Sequence, residues 1–386
     1  MSSFSGKIDE CNWIWIDQFE NIDLEPAEMA ITKGYDEVFN VLPTNEDNYE
    51  SLAPVKVTFL DAQHCPGSSM ILFEFPNGNK SLYTGDFRIL KQDWYSYTPL
   101  IDPTTNTGFK SINTLYFDST FCRKGTINIP TREQSINIFL KLVSEWLAKN
   151  PCNKVLIWGS CYGQEFLFRA IWERLGLQCH VAADKYRIYS KISEYADCVT
   201  WSANSARVHA CTTGFSAMDE CYIERNQCII KSKFRKSKPH IFPCDLCRPD
   251  NKTVRVIRPS VIWFARRNEK DVIGYDHNYF CRLLYSNHCS FNEIVDTFKI
   301  LRPNRAFPNV LDNKFALQHA ENIMKHLKIF LRQAETEMDP KEKCLKQEEL
   351  EEHESDLFLS ETALAGNSCC LQQLQEDVIV IDDDDT

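Results

Sequence analysis

Gln63-His64-Cys65-Pro66-Gly67-Ser68 and Tyr83-Thr84-Gly85-Asp86-Phe87-Arg88 are the two stretches on which the reading of the fold turns. The apolar run Val55-Lys56-Val57-Thr58-Phe59-Leu60 leads to His64, Ser69 to Phe75 follows it, and Ser81-Leu82-Tyr83-Thr84 leads to Asp86. Short runs rich in β-branched and aromatic residues, bounded by turn formers, read as strands. Pro66 and Gly67 suit a sharp turn that exposes the histidine. A His and an Asp at successive strand ends can converge on one metal, since imidazole and carboxylate are usual zinc ligands. The plainer alternative is a hairpin with a hydrogen-bonded histidine and a turn aspartate. The two motifs together favour the metal.

Charge is unevenly distributed. The chain of 386 residues carries a formal net charge of −11. Residues 335–386 hold 17 acidic and 3 basic residues, and residues 1–50 hold 12 acidic and 2 basic, which leaves 51–334 at +13. A basic body suits a polyanion-binding surface, which the total alone would argue against. Between Lys231 and Arg267 there are 11 basic residues against Asp245 and Asp250, with Phe234, Phe242, Trp263 and Phe264 interleaved. Lys231, Lys233, Arg235, Lys236 and Lys238 are therefore candidate phosphate contacts, with aromatics available for stacking on bases. Trp263 and Phe264, on an apolar run, are the better core candidates. The same basic cluster has the look of a nuclear-localisation signal. Seventeen cysteines, no signal peptide and no membrane-length apolar segment point to a reducing compartment, where free thiols and metal ligands outnumber disulfides.

Along the chain, strand-like runs alternate with helical ones, the signature of an α/β architecture. Thr114 to Asp118 reads as a strand ending on an acid, and Lys154 to Trp158 and Leu177 to Ala182 as further strands. After Pro130-Thr131, the apolar residues Ile136, Phe139, Leu140, Val143, Trp146 and Leu147 recur at helical spacing. Gln164 to Leu175 forms a second helix stopped by Gly176, and Phe291 to Leu301 a third. Thr253 to Ile257 and Ser260 to Phe264 are expected strands, and Lys314 to Arg332 a closing helix. After Ala334 the composition turns to Glu, Lys and Gln with few aromatics, a signature of disorder.

HCPGS followed by TGDFR and then Tyr116-Phe117-Asp118-Ser119-Thr120-Phe121-Cys122 resembles the Artemis-like branch of the SNM nucleases. These are DNA-repair members of the metallo-β-lactamase superfamily that carry a β-CASP insert. The opening Met1 to Gly6, Ile16-Asp17-Gln18-Phe19, and Arg302-Pro303-Asn304 with Phe307-Pro308-Asn309-Val310 resemble the same family, and similarity runs to about residue 310. The resemblance implies a metallo-β-lactamase αββα sandwich, incomplete in its N-terminal half, with an inserted α/β β-CASP domain and a disordered acidic tail. The expected boundaries are 1–122 for the first part of the core, 123–275 for the insert, 276–334 for the return and 335–386 for the tail. It also implies metal-assisted phosphodiester hydrolysis at DNA ends in the nucleus, as a 5′ exonuclease or endonuclease in double-strand-break or cross-link repair.

Residue by residue, the resemblance makes Asp17, Asp118 and His288 catalytic candidates and His64 and Asp86 metal ligands. His180, His209 and Cys211 match ligands of a structural zinc. Cys228 lies at about the family's distance for the fourth, while Cys221 and the Cys244-x-x-Cys247 pair compete for that place. Zinc is the expected metal, with magnesium a further candidate at the catalytic centre. One family motif is missing. His-x-His-x-Asp-His is expected between Asp17 and His64, yet no histidine precedes His64. Catalytic zinc takes about three protein ligands and an open position, so this chain reads as a spliced or truncated product or as an inactive relative, a DNA-end-binding scaffold. At the other end, Val378-Ile379-Val380-Ile381 before Asp382 to Asp385 resembles a SUMO-interacting motif, a strand that adds to a partner's sheet edge.

Overall fold

The computed structural model describes most of residues 54–332, together with 35–41 and the strands Lys7–Ile8 and Cys11–Trp15; within 54–332 it leaves out 106–107, 124, 160–162, 212–219, 225–226, 232–243, 248–252, 268–271, 278 and 312–314. Two open sheets organise these residues. The first runs Arg305–Pro308, Thr114–Phe117, Lys80–Tyr83, Ser69–Glu74, Val55–Asp61, Val38–Val41. Its first three strands are parallel and each later neighbour is antiparallel. Successive side chains point to opposite faces of a strand, so register sorts them into two sets. Leu72, Leu82 and Leu115 line up on one face, and Ile71, Tyr83, Tyr116 and Phe307 on the other. The leucine face packs on Ile294, Phe298 and Leu301 of helix Phe291–Leu301 and on Ile323 and Leu327 of helix Ala316–Leu327. The rings of Phe117 and Phe298 meet edge to face there, 5.1 Å between centroids.

The second sheet runs Val199–Thr200, Cys179–Val181, Val208–Ala210, Lys154–Ile157, Val254–Pro259, Phe280–Leu283, Ile273–His277. Every pair is parallel except the last, which is antiparallel. Helices Arg132–Lys149 and Glu165–Leu175 cover one face through Phe139, Val143, Leu167, Phe168 and Ile171. The first is started by a capping box: Thr131 Oγ1 accepts from Gln134 N, and the Gln134 side chain accepts from Thr131 N. The second stops at Gly176, whose φ of 64° is the left-handed conformation of a helix end. Two separate hairpins complete the described β-structure, Lys7–Ile8 with Cys11–Trp15 and Glu220–Glu224 with Gln227–Lys231.

The architecture is the expected mixed α/β arrangement, with three local differences. Ser260 to Phe264 is not a strand: Pro259 ends the preceding strand and the chain turns into helix Ile262–Arg267. Phe264 then packs with Phe121, Ile129, Val261 and Leu284. That helix comes so close to Gly125, at φ 88°, that a Cβ there would lie 2.7 Å from the Ala265 carbonyl oxygen. The boundary expected at 275 falls inside the second sheet, which continues through Phe280–Leu283; the chain rejoins the first sheet at Arg305–Pro308, beside Thr114–Phe117. The closing helix is shorter than expected, Ala316–Leu327 with a 3-10 turn at Lys328–Phe330. The tail 335–386 lies outside the described residues.

Candidate metal centres

Three strands of the first sheet point the same way and end on the first centre. Val55–Asp61 leads to His64, Lys80–Tyr83 to Asp86 and Thr114–Phe117 to Asp118. Gln63 takes φ 54° and Gly67 φ 85°, and Ser68 Oγ accepts from the backbone N–H of His64 and Cys65 at 3.1 Å each, which fixes the turn carrying His64. Thr84 joins two of the strand ends, because its Oγ1 accepts from Asp118 N at 3.0 Å. His288 comes from the segment that leaves the second sheet. Its backbone N–H donates to Ser286 Oγ at 3.0 Å, just before Ser290 caps helix Phe291–Leu301 with a second capping box.

His64, Asp86 and His288 each offer a ligand atom within 4.8 Å of the others. His64 Nε2 is 3.9 Å from Asp86 Oδ2, and the two imidazoles meet edge to face at 4.6 Å. His288 Nδ1 is 2.7 Å from Asp118 Oδ2, while Asp118 Oδ1 accepts from Thr120 N at 2.9 Å and Thr120 Oγ1 at 2.6 Å. Burial pushes the Asp118 carboxyl upward, but the charge and hydrogen bond of His288 and the bonds from Thr120 outweigh it and hold it below the ordinary value. Burial, then the neighbouring His288, pulls His64 down to about 3. It is therefore neutral near pH 7, the form that binds metal. Three converging donors, one of them a buried neutral imidazole, fit a divalent ion.

Arg88 ties this centre to both connections between the sheets. Its guanidinium donates to Ser286 O and Pro130 O at 2.7 Å and pairs with Glu293 at 3.3 Å, with almost no exposure. Beside it is a cleft of about 280 Å³ lined by Gln63, Arg88, Arg132, Phe166, Arg169 and Arg174. Arg132 donates to Gln63 O and lies over the Phe166 ring at 4.1 Å. The buried Nε atoms of Arg88 and Arg132 meet no hydrogen-bond partner among the described residues. Sequence reasoning missed both arginines. Arg88 was in view in TGDFR, but nothing local marks a side chain whose partners lie across two chain crossings.

The second centre sits on two neighbouring interior strands of the second sheet, Cys179–Val181 and Val208–Ala210. His180 and His209 are register partners on parallel neighbours, and the His209-x-Cys211 spacing puts both on one face. His180, His209, Cys211 and Cys244 bring four ligand atoms within 4.8 Å. Among the described residues the fourth member is Cys244, one of the competitors to Cys228 for that place. Cys228 is on strand Gln227–Lys231, whose side chains fall outside the description. His209 Nε2 is 3.1 Å from Ala206 O, so that nitrogen carries the proton and Nδ1 presents its lone pair. The Nδ1 atoms of His180 and His209 face each other at 3.1 Å, with Cys244 Sγ 3.4 Å from the latter. Facing lone pairs beside sulfur are unfavourable unless a proton or a cation lies between them. The donor set fits Zn²⁺.

Other expected site residues are not positioned. Asp17, Lys233, Arg235, Lys236, Lys238 and the motif Val378 to Ile381 lie outside the described residues, and Lys231 ends a strand whose side chains are not described. Among the described residues no helix is long and apolar enough to cross a membrane.

Comparison with known proteins shows what the chain is similar to. A family model described as DNA repair metallo-beta-lactamase matches residues 193–314. The chain is 33% identical over 279 residues to the mouse (Mus musculus) protein artemis, covering 71% of this chain and 36% of that protein. With human (Homo sapiens) protein artemis the identity is 32%, over 71% of this chain and 37% of the relative. Mouse DNA cross-link repair 1A protein is 33% identical over 157 residues, 40% of this chain and 14% of its own length. The chain therefore spans about a third of the length of the artemis proteins it matches.

Proposed function

Because the chain belongs to the DNA-repair metallo-β-lactamases, on their Artemis-like branch, we propose that it processes DNA ends by metal-assisted phosphodiester hydrolysis. The reaction would be 5′-exonucleolytic or endonucleolytic, serving end joining or cross-link repair in the nucleus with other repair proteins. The observation that supports it best is the convergence of His64, Asp86 and His288 with Asp118 beyond the ends of three strands of the first sheet. His64, Asp86 and His288 would hold zinc or magnesium, which when bound polarises the phosphate and activates water. Asp118 orients His288 through Nδ1 and so leaves Nε2 to meet the ion. Arg132, stacked on Phe166 beside those strand ends, can meet a further backbone phosphate. Lys231 to Lys238 would add sequence-independent phosphate contacts. The Cys/His cluster would hold a structural zinc, and Val378 to Ile381 would bind a SUMO-like partner. A tail peptide spanning 376–386 is then expected to show chemical-shift changes on addition of SUMO, and their absence near millimolar concentration would leave an acidic tail only.

One observation favours a second reading. The first centre gathers three donors, and no histidine precedes His64. A chain so composed would bind DNA ends without cutting them, as an inactive scaffold. Metal analysis and a cleavage assay on end-labelled DNA, with His64→Ala as control, separate the two. Two or more zinc per chain, with cleavage abolished by His64→Ala, establishes the enzyme. One zinc, DNA-end binding and no cleavage establishes the scaffold.

A further inference from the structure

Cys247 belongs to neither donor set, yet its fully buried Sγ lies 3.5 Å from Cys244 Sγ and 3.6 Å from Cys211 Sγ. Three thiols and two imidazoles thus crowd a place that a tetrahedral ion fills with four donors. Only Asp245 and Leu246 separate Cys247 from Cys244, in a 3-10 turn spanning Asp245–Cys247. This Cys-x-x-Cys spacing recurs where thiols and disulfides exchange. Cys247 Sγ donates to Cys244 O at 3.6 Å, a contact that requires the protonated thiol. Cys244 is also the more accessible of the two, and Cys247 the buried one. A partly exposed thiol beside a fully buried one, with the two sulfurs 3.5 Å apart, divides the roles of attacking and resolving cysteine.

We propose that Cys244 and Cys247 form an oxidative modification site that releases the zinc beside them. With hydrogen peroxide as oxidant, the Cys244 thiolate attacks one peroxide oxygen, the O–O bond breaks and hydroxide leaves, giving a sulfenic acid. Cys247 Sγ then attacks that sulfur; the S–O bond breaks, and the hydroxyl departs as water with the proton of Cys247. One thiolate, one thiol and one peroxide become a disulfide, a water and a hydroxide, with two electrons passing from sulfur to oxygen. The new bond takes Cys244 out of the donor set and leaves His180, His209 and Cys211 to hold an ion that prefers four ligands. The competing assignment makes Cys247 an inert core thiol, packed among Leu156, Trp158, Val254 and Phe280. The proposal rests on the zinc reading of the cluster, and its test separates the two.

The full chain, reduced and zinc-loaded, is treated with hydrogen peroxide while a chromogenic chelator follows zinc, and the products are mapped by peptide mass spectrometry. The expected result is loss of one zinc per chain together with a Cys244–Cys247 disulfide, reversed by dithiothreitol and added zinc. Cys247→Ala and Cys247→Ser should hold one zinc when reduced. After peroxide they should fail to recover it, because Cys244 without its partner proceeds to the sulfinic acid. Zinc loss without that disulfide, a Cys211–Cys247 disulfide in its place, or equal recovery in the variants overturns the proposal. Reduced variants without zinc would make Cys247 a ligand and overturn it too. A reduced unaltered chain without zinc would remove the zinc reading itself. Disulfide mapping on the unaltered chain decides the matter even where a variant does not fold.

Discussion

Arg88 shows how one side chain can join two sheets. Its guanidinium reaches Pro130, where the chain enters the second sheet's domain, and Ser286, where it leaves, while Glu293 balances the charge. Removing one member of a buried pair strands the other, at about 3–5 kcal/mol. Arg88→Ala is therefore expected to destabilise the fold by that order in urea denaturation, and Glu293→Gln in the Arg88→Ala background should cost less than it does alone. His64 has a different signature. The unfolded chain protonates it near the ordinary 6.5, whereas the folded chain does not until about 3. The unfolded state thus binds more protons across that window, and stability contributed by neutral His64 falls as pH drops from about 6.5 toward 3. In EDTA-treated protein, His64→Gln should lose less stability than the unaltered chain between pH 7 and pH 5. Parallel pH profiles would show that His64 titrates normally.

Among the elements, helix Arg132–Lys149 carries the argument furthest, since its cap, buried face and end all follow from residue order. Its Thr131–Gln134 capping box satisfies two backbone N–H groups that the helix itself cannot, one at the cap and one in its first turn. Thr131→Ala is expected to cost about 1 kcal/mol by chemical denaturation, with a folded-state circular dichroism spectrum unchanged. Elements of this kind were legible in the sequence: the strands flanking His64 and Asp86, the stop at Gly176, and helix Phe291–Leu301. Ser260 to Phe264 was not, because a short apolar run carries the same pattern in a buried strand and a buried helix. Packing against Gly125 and Leu284 settles it, and neither is a local property. The choice between Cys244 and Cys228 stayed open in the sequence for a related reason. His180, His209 and Cys211 share a face that strand register makes predictable, but the fourth donor returns only after the Glu220–Glu224 and Gln227–Lys231 hairpin. Sequence distance says nothing about where such a return lands.

At the scale of the whole molecule, the acidic total conceals a divided charge. Residues 51–334 carry +13 while the two ends carry the acid, so the body can attract a polyanion that the net charge of −11 would repel. The described part places buried Arg88 and half-buried Arg132 beside the first metal centre. The further basic density is read from the sequence at Lys231 to Lys238, beyond the described side chains. The two groups should differ in their response to salt. Contacts made by lysines and arginines to phosphates release condensed counterions, and each adds about one to the slope of log affinity against log salt. Neutralising Lys233, Arg235 and Lys236 together should therefore lower that slope by about three, if all three touch phosphate, and weaken binding evenly across DNA sequences. Arg132→Gln should act mainly on DNA that reaches the metal centre, with a slope change of about one. Fluorescence anisotropy on end-labelled duplexes between 50 and 200 mM salt, on the order used for such titrations, makes the comparison. An unchanged slope in the triple variant would move the DNA-binding surface away from 231–238 and onto the arginine cleft.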